Sequence, residues 1–223
     1  MSKSSFGISA SFKGLALAVL IGATIVYIAN FRPTDAGSWF GKMIAPARAA
    51  YPFELTDQNG NRFRLADQRG DVILLNFGFT NCPNICPTSL ANLAAVCRQL
   101  PDPIRQRVRV VFVSVDERDD IAALKKYIPL FDEKFTGLTG NKETIGTVAR
   151  AYGAFYRKAE SPTKDEEDYL IDHSTNTTLI DPEGNLRLVY SIDQLAKSAE
   201  MAGDILQIFG LPRPVASPGE AQP

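Results

Sequence analysis

Two unbroken apolar runs mark the centre of the predicted fold. Residues 72–77 read Val-Ile-Leu-Leu-Asn-Phe, and residues 108–115 read Val-Arg-Val-Val-Phe-Val-Ser-Val. Short runs of this kind, without strict alternation, are typical of strands that are covered on both faces. Between them, apolar residues recur at helical spacing over residues 89–100, which predicts a helix. The pattern therefore predicts a strand, a helix and a second buried strand in succession.

Shorter patterned segments extend this unit on both sides. Asn59-Gly60 separates two polar-apolar segments and predicts a hairpin, and the turn at 182–185 predicts a second antiparallel pair. The further predicted elements are strands at 53–55, 62–65, 135–139, 177–181 and 186–190, and helices at 121–131, 142–152 and 192–209. This order predicts an α/β domain in which a mixed sheet carries helices on both faces.

A long uncharged segment precedes the predicted domain. Residues 14–31 contain no charged side chain. A helix over this range spans about 27 Å, close to the hydrocarbon core of a bilayer at about 30 Å. It predicts one transmembrane anchor after an N-terminal tail at 1–13. A small-x-small site at 47–49 lies well beyond the apolar run, so an uncleaved anchor is favoured over a cleaved signal peptide.

Composition sets the remaining boundaries and the compartment. Residues 32–50 carry Pro, Gly and Ala and are predicted to be a linker, and residues 51–211 form the predicted domain. The Pro-rich range 212–223 lacks periodicity and is predicted to be disordered. Either an anchor or a signal peptide exports the domain, and export to an oxidising compartment changes how cysteines are interpreted.

Charge and cysteine number exclude several classes of protein. The formal net charge of the 223 residues is −1, which gives no indication of a nucleic-acid partner. Three cysteines are too few for a disulfide scaffold. A close cysteine pair with one distant cysteine instead indicates redox or metal chemistry.

The close pair lies in the loop that follows the first buried strand. Residues 79–87 read Phe-Thr-Asn-Cys-Pro-Asn-Ile-Cys-Pro, which places Cys82 and Cys86 four residues apart. On a helical turn their Cα atoms lie about 6 Å apart, so the thiols can form one disulfide or share one metal ion. The neighbouring helix N-terminus favours the thiolate form. Cys97, on the apolar face of the helix, is predicted to pack in the core.

His173 is the one histidine of the chain. It is predicted to lie in a loop before the strand at 177–181, opposite the cysteine loop in a thioredoxin-type layout. Two thiolates and one neutral imidazole suit Cu(I), whereas zinc usually takes a fourth ligand. Asp172 is interpreted either as a group that orients the imidazole or as a solvated carboxylate.

Acidic residues follow the second buried strand. Asp119 is predicted to cap the next helix, and Asp116 is a minor candidate for a role at the metal. The charged run at 164–168 is interpreted as an exposed loop or a contact surface for a partner.

Four segments carry a resemblance to the Sco/SenC family, which covers nearly all of residues 51–210. They are residues 78–87, 113–119, 135–140 and 169–174. The resemblance implies a membrane-anchored, thioredoxin-like copper protein. It also implies that Cys82, Cys86 and His173 are the copper ligands and that Asp116 lies in a shared motif. The role it implies is assembly of the copper centre of cytochrome c oxidase.

The same resemblance implies the partners and the location. Expected partners are the copper-bearing subunit of the oxidase, other copper chaperones and thiol reductants. The expected location of the domain is the bacterial periplasm or the mitochondrial intermembrane space. The expected cargo is Cu(I), with binding of Cu(II) left open. We expect a metallochaperone rather than an enzyme, with thiol-disulfide reductase activity left open.

Two alternatives use the thiols without metal. A thiol-disulfide oxidoreductase commonly has Cys-x-x-Cys and a cis-proline before the facing strand. Here the spacing is one residue longer and Asn176 occupies that position, although a Cys82–Cys86 disulfide stays compatible with electron transfer. A peroxiredoxin-type peroxidase ranks third, because the residues around Cys86 lack the required setting for one activated thiolate.

Overall fold

The computed structural model describes residues 39–159 and 169–213. Its described strands are β1 (Lys42–Ala49), β2 (Glu54–Asp57), β3 (Arg62–Arg64), β4 (Val72–Gly78), β5 (Val108–Ser114), β6 (Thr136–Thr139), β7 (Tyr156–Lys158), β8 (Ile171–His173), β9 (Thr177–Ile180) and β10 (Asn185–Tyr190). Eight of these described strands form one sheet in the order β1-β10-β9-β4-β5-β6-β2-β3, and β7 and β8 form a second sheet.

The centre of the main sheet is its most apolar part. Every residue of β4 is buried, as is the larger part of β5. β4, β5 and β6 run parallel, and the other pairings in this sheet are antiparallel. The two apolar runs were therefore correctly predicted as buried strands, since parallel central strands are covered on both faces.

The pairing of β4 with β9 positions the candidate site. Asn76, near the carboxyl end of β4, pairs with Thr177, the first residue of β9. The Asn76 side-chain amide also donates a buried hydrogen bond of 3.0 Å to Thr177 Oγ1. Because the strands are antiparallel, the segment before β9 lies at the same end of the sheet as the loop after β4.

The helices flank this sheet. The described α-helices are α1 (Ile85–Gln99), α2 (Asp102–Arg105), α3 (Ile121–Tyr127), α4 (Lys142–Ala151), α5 (Ile192–Leu195) and α6 (Ser198–Ile208). α1 packs against α5 and α6. Short 3₁₀ turns cover Leu65–Gln68 and Ile128–Leu130. The mixed α/β arrangement agrees with the sequence-based prediction.

The predicted linker at 32–50 is wrong over part of its length. Residues Lys42–Ala49 form β1, which pairs antiparallel with β10 at the edge of the main sheet. Pro46 lies within this strand, and proline is tolerated at a sheet edge because one side of the strand needs no N–H donor. Proline and alanine therefore concealed an edge strand that composition alone assigned to a linker.

Two other boundaries differ from prediction. The helix expected at 192–209 is divided into α5 and α6, because Lys197 between them has a non-helical backbone (φ −97°, ψ 71°). The helix expected at 121–131 ends at Tyr127, and a 3₁₀ turn continues through Pro129. Proline removes a helical hydrogen-bond donor, which accounts for the early end.

A buried carboxylate fastens both ends of the described domain. Asp204 of α6 is fully buried and accepts hydrogen bonds from the backbone N–H groups of Phe40 (3.0 Å) and Gly41 (2.8 Å). The Tyr190 hydroxyl donates a third at 3.0 Å, and Arg213 forms an ion pair with the same carboxylate. Burial raises the pKa of the Tyr190 hydroxyl, and the adjacent Asp204 charge adds to that effect. One side chain of α6 thus connects the residues just before β1, the end of β10 and the residues after α6.

The predicted anchor at 14–31, the tail at 1–13 and the residues after 213 lie outside the described residues. Among residues 39–159 and 169–213, no helix has the length and apolar character to cross a bilayer. Because β1 belongs to the main sheet, the described domain begins before the predicted boundary at 51, whereas the boundary at 211 stays a prediction.

Candidate metal centre

The cysteine loop connects the most buried strand to the longest described helix. β4 ends at Gly78 and α1 begins at Ile85, so Cys82 lies in the loop and Cys86 in the first helical turn. Both are free thiols and buried, with 9% and 1% of their surface exposed. The backbone N–H of Cys86 donates to Cys82 Sγ at 3.4 Å. The helix start therefore supplies a donor to the first sulfur.

Gly78 allows Cys86 to approach the end of β4. A Cβ atom at residue 78 would lie 2.7 Å from Cys86 Sγ and 2.6 Å from the Phe112 ring. Real Cβ atoms do not approach so closely, so any larger residue would displace the thiol or the ring. Glycine at the strand end thus sets the depth at which the second sulfur lies.

His173 is the last residue of β8 and pairs with Tyr156 of β7. The sequence predicted a loop at this position, whereas the structure has a short strand, β8, which pairs with β7. His173 Nδ1 lies 2.8 Å from the carbonyl oxygen of Ser174. A carbonyl oxygen only accepts, so Nδ1 donates this hydrogen bond and Nε2 is the ring nitrogen left to face the sulfurs. This ring orientation suits coordination through Nε2.

The three predicted ligands meet. His173 Nε2 lies 3.2 Å from Cys86 Sγ, and the ligand atoms of Cys82, Cys86 and His173 all lie within 4.8 Å of one another. A three-coordinate ion with bonds of about 2.3 Å to sulfur separates its ligand atoms by about 4 Å. The donor set and its spacing therefore fit a soft metal ion such as Cu(I).

An aromatic side chain supports the imidazole. Phe79 is almost fully buried, and its ring lies edge-on to His173 with centroids 5.7 Å apart and planes at 87°. Phe79 belongs to the cysteine loop, so this contact joins the two halves of the site directly. An apolar wall on one side of the ligands also limits their access to water.

The two thiols differ in acidity because they share a hydrogen bond. Donation from the Cys86 thiol lowers the pKa of Cys82, even though burial opposes the charged form, and the His173 ring and backbone N–H groups lower it further. The same hydrogen bond raises the pKa of Cys86, and burial adds to that effect. In the metal-free pair this shared hydrogen bond therefore favours the negative charge on Cys82 and the proton on Cys86.

We expect alkylation of the reduced protein to occur first at Cys82, at a rate that stays nearly constant between pH 6 and 9. A thiol with an ordinary pKa would react about tenfold faster for each pH unit in this range, because only its thiolate attacks. Site-resolved mass spectrometry after brief iodoacetamide treatment measures the rates. Cys86→Ala removes the hydrogen-bond donor, so the same measurement should recover an ordinary pH dependence; a tenfold rise per unit in the unsubstituted protein would contradict the assignment.

Asp116 does not join the cluster of candidate ligands in the described residues. Its buried carboxylate instead binds the Arg118 guanidinium, with Nη2 at 2.6 Å, and accepts from the Tyr169 hydroxyl at 3.1 Å. Burial opposes its charge, but the contacts with Arg118 outweigh that cost and hold the pKa of Asp116 below its usual value. Asp116 therefore forms an ion pair with Arg118 and does not lie among the candidate metal ligands.

The prediction that Asp119 caps the next helix is wrong. Asp120 is the N-cap of α3, and its carboxylate accepts from the backbone N–H of Ala123 at 2.8 Å. Asp119 is buried and accepts instead from the backbone N–H and hydroxyl of Thr80, at 2.7 and 2.5 Å. It also accepts from the Ser114 hydroxyl at 2.6 Å.

Asp172 does not orient the imidazole. Its exposed side chain pairs with Arg157 at 3.0 Å across the β7–β8 hairpin, while His173 Nδ1 bonds to the Ser174 carbonyl. Side chains alternate along a strand, so neighbours in β8 point to opposite faces. Cys97 is buried in α1, as predicted, and lies outside the ligand cluster.

Sequence reasoning missed the residues that hold the ligands in place. Phe79 and Thr80 were part of the quoted loop, but their partners lie 94 and 39 positions away. Tyr169 adjoins the range 160–168, which lies outside the described residues. Such long-range pairs leave no periodic pattern in one sequence.

The fold and the site together define a thioredoxin-like domain with a candidate dithiol–imidazole metal site. A model of the SCO1/SenC family matches residues 41–210. The chain therefore belongs to the SCO1/SenC family. The mitochondrial SCO2 homolog of Bos taurus is 41% identical over 154 residues, which cover 68% of this chain and 56% of the bovine protein. The match thus spans little more than half of that relative.

Solved structures agree with the family and the fold. The apo Sco1 protein of Thermus thermophilus is 33% identical, with a TM-score of 0.70 over 78% of this chain and 99% of that one. ScoI of Bradyrhizobium japonicum, solved with copper bound, is 34% identical, with a TM-score of 0.64 over 72% of this chain and 99% of the other. The thioredoxin-like fold predicted from the sequence is confirmed.

Proposed function

We propose that this chain is a copper-binding assembly factor, and that its cargo is Cu(I) held by Cys82, Cys86 and His173. The observation that carries the proposal is the meeting of two sulfurs and an imidazole nitrogen within 4.8 Å. Two soft thiolates and one imidazole favour a monovalent copper ion of low coordination number. The bound copper of the Bradyrhizobium japonicum relative supports the same cargo.

The residues divide the work of binding. The Cys82 thiolate is available before the ion arrives, and Cys86 loses its proton as the ion binds, because only a thiolate is a good ligand. The Ser174 carbonyl accepts a hydrogen bond from His173 Nδ1 at 2.8 Å, so Nε2 is the ring nitrogen that faces the sulfurs. Phe79 and the buried position of Cys86 restrict water at the ligands.

We further propose that the copper goes to the copper-bearing subunit of cytochrome c oxidase. The resemblance to the Sco family supports this partner, and other copper chaperones or thiol reductants would load or reset the site. Residues 14–31 would anchor the domain on the exported side of a membrane, in a periplasm or an intermembrane space. Oxidation to a Cys82–Cys86 disulfide removes both thiolates, so the redox state of the pair would control loading.

A second function is favoured by the acidity of the pair. A low pKa at Cys82 beside a protonated Cys86 is also what a thiol-disulfide reductase requires. Such a protein would reduce an exported disulfide, transferring two electrons and forming its own Cys82–Cys86 disulfide. Reduction of a disulfide substrate by the metal-free protein would identify this activity.

The test is copper stoichiometry under competition. The reduced 223-residue chain is titrated with Cu(I) against a chelator of known affinity, and we expect one ion per chain. His173→Ala should weaken binding by more than about 100-fold, since loss of a supporting group alone costs about 10- to 100-fold. The disulfide form should bind none. Equal affinity in the reduced, oxidised and His173→Ala forms would refute the site.

A further inference from the structure

We propose that the turn from Asp116 to Asp119 sets the spacing between the dithiol and the imidazole. One carboxylate of the turn holds the cysteine loop, and the other holds the segment that carries His173. Asp119 and Thr80 are positioning residues for the sulfurs, and Arg118 and Tyr169 are positioning residues for the ring. The inference rests on the proposed copper site, since it assigns residues that arrange its ligands.

The cysteine side of the turn is fixed by Asp119. This carboxylate is 3% exposed and accepts three hydrogen bonds, two from Thr80 and one from Ser114. Thr80 lies two residues before Cys82 and directly after Phe79. Ser114 is the last residue of β5, so Asp119 ties the cysteine loop to the end of a buried strand. Charged acceptors form the stronger class of hydrogen bond.

The histidine side of the turn is fixed through Asp116. Its carboxylate holds Arg118 by contacts of 3.0 Å to Nε and 2.6 Å to Nη2. Arg118 Nη2 then donates to the Tyr169 carbonyl oxygen at 3.0 Å, and the guanidinium lies 3.6 Å from the centre of the Tyr169 ring. The Lys158 ammonium lies 3.8 Å from the centre of the same ring.

Tyr169 connects Arg118 to the strand that carries His173. It precedes β8, whose last residue is His173, and Lys158 belongs to β7, the partner strand in the same hairpin. β7 and β8 form a sheet apart from the main one, so within the described residues no strand pairing joins them to it, and side-chain contacts such as these help to position them. The planar Arg118 guanidinium bonds to the Asp116 carboxylate and stacks on the Tyr169 ring, so it fixes both the distance and the angle between these two residues. A flexible lysine at residue 118 would not fix them.

The turn itself is attached to the end of β4, the strand that precedes the cysteine loop. The backbone N–H of Val115 donates to the Gly78 carbonyl at 2.9 Å, and the N–H of Asp116 donates to the Ser114 hydroxyl at 3.2 Å. Both arms therefore start from the end of β5 beside Gly78, where an added Cβ would lie 2.7 Å from Cys86 Sγ. A shift of the turn would move the two halves of the site relative to one another.

The test is a double-mutant cycle on Cu(I) affinity in the 223-residue chain. Arg118→Gln and Tyr169→Leu should each weaken binding by about 10- to 100-fold, as is usual for groups that orient a ligand. In a His173→Ala background the same substitutions should cost less than about twofold, because they act through the lost ring. Thr80→Val acts on the position of the sulfurs, so it should still weaken Cu(I) binding when His173 is replaced by alanine. Equal losses from Arg118→Gln with and without His173 would overturn the proposal.

A metal-free measurement separates this proposal from the copper site itself. NMR of the reduced protein without metal should show contacts between the Phe79 and His173 ring protons, and Arg118→Gln should abolish them. Arg109→Gln, which removes a matched Arg–Asp pair of 2.6 Å at the opposite end of β5, should keep them. Persistence of the ring contacts in Arg118→Gln would overturn the positioning role, whatever the copper affinity proves to be.

Discussion

Replacing Cys86 with alanine is expected to reduce Cu(I) affinity by more than about 100-fold, or about 2.7 kcal/mol. Cys86 lies between the other two ligands: its N–H donates to Cys82 Sγ, and its own sulfur lies 3.2 Å from His173 Nε2. Its loss leaves one thiolate and one imidazole for an ion that favours two sulfurs. Competition with a Cu(I) chelator measures the loss on reduced protein.

The chain supplies a matched control in the same helix. Cys97 is also a buried free thiol of α1, and Cys97→Ala should leave the affinity within about threefold, as expected for a packing residue that is not a ligand. Both variants lose one sulfur, so a general effect of thiol removal would appear in each. Comparable losses in the two proteins would argue that copper is bound elsewhere.

Replacing Asp204 with alanine should lower the free energy of unfolding by about 3–5 kcal/mol. Removal of this buried carboxylate leaves the N–H groups of Phe40 and Gly41, the Tyr190 hydroxyl and the Arg213 charge without their shared acceptor. Buried donors that lose their acceptor cost more than the hydrogen bond itself stabilised. Chemical denaturation, followed by circular dichroism, measures the change.

A surface acid of the same helix provides the comparison. Glu200 is exposed on α6, and Glu200→Ala should change the free energy of unfolding by no more than about 0.5 kcal/mol. Tyr190→Phe removes one of the donors while keeping the ring, so an intermediate loss of about 1 kcal/mol is expected. A loss below 1 kcal/mol in Asp204→Ala would show that the ends of the domain are held by other contacts.

The sequence predicted the centre of the fold better than its edges. β4, β5 and α1 follow from apolar runs and helical spacing, because burial on both faces leaves a strong pattern. β1 escaped, since an edge strand with mostly exposed side chains has no apolar pattern to detect. β7 and β8 were missed because each has only three residues and, unlike β2 and β3, they are not joined by a tight turn such as the one at Asn59-Gly60.

The site was predictable to the extent that chemistry restricts residue type. Two cysteines and a single histidine limit the possible ligand set, and their meeting agrees with the prediction. The residues that hold them were not predictable, because Asp116 and Asp119 look like any solvated acidic turn. Only the fold shows that both are buried, at 4% and 3% exposure, and face opposite halves of the site.

For the proposed copper transfer, the separate β7–β8 hairpin has a consequence for the order in which the ligands release the ion. The sulfurs adjoin β4, the fully buried central strand, whereas the imidazole belongs to a two-stranded sheet of its own. We expect the nitrogen to detach first, so that an acceptor's thiolate takes its vacated coordination position while both sulfurs still grip the ion. Copper would then pass between proteins without an interval in water.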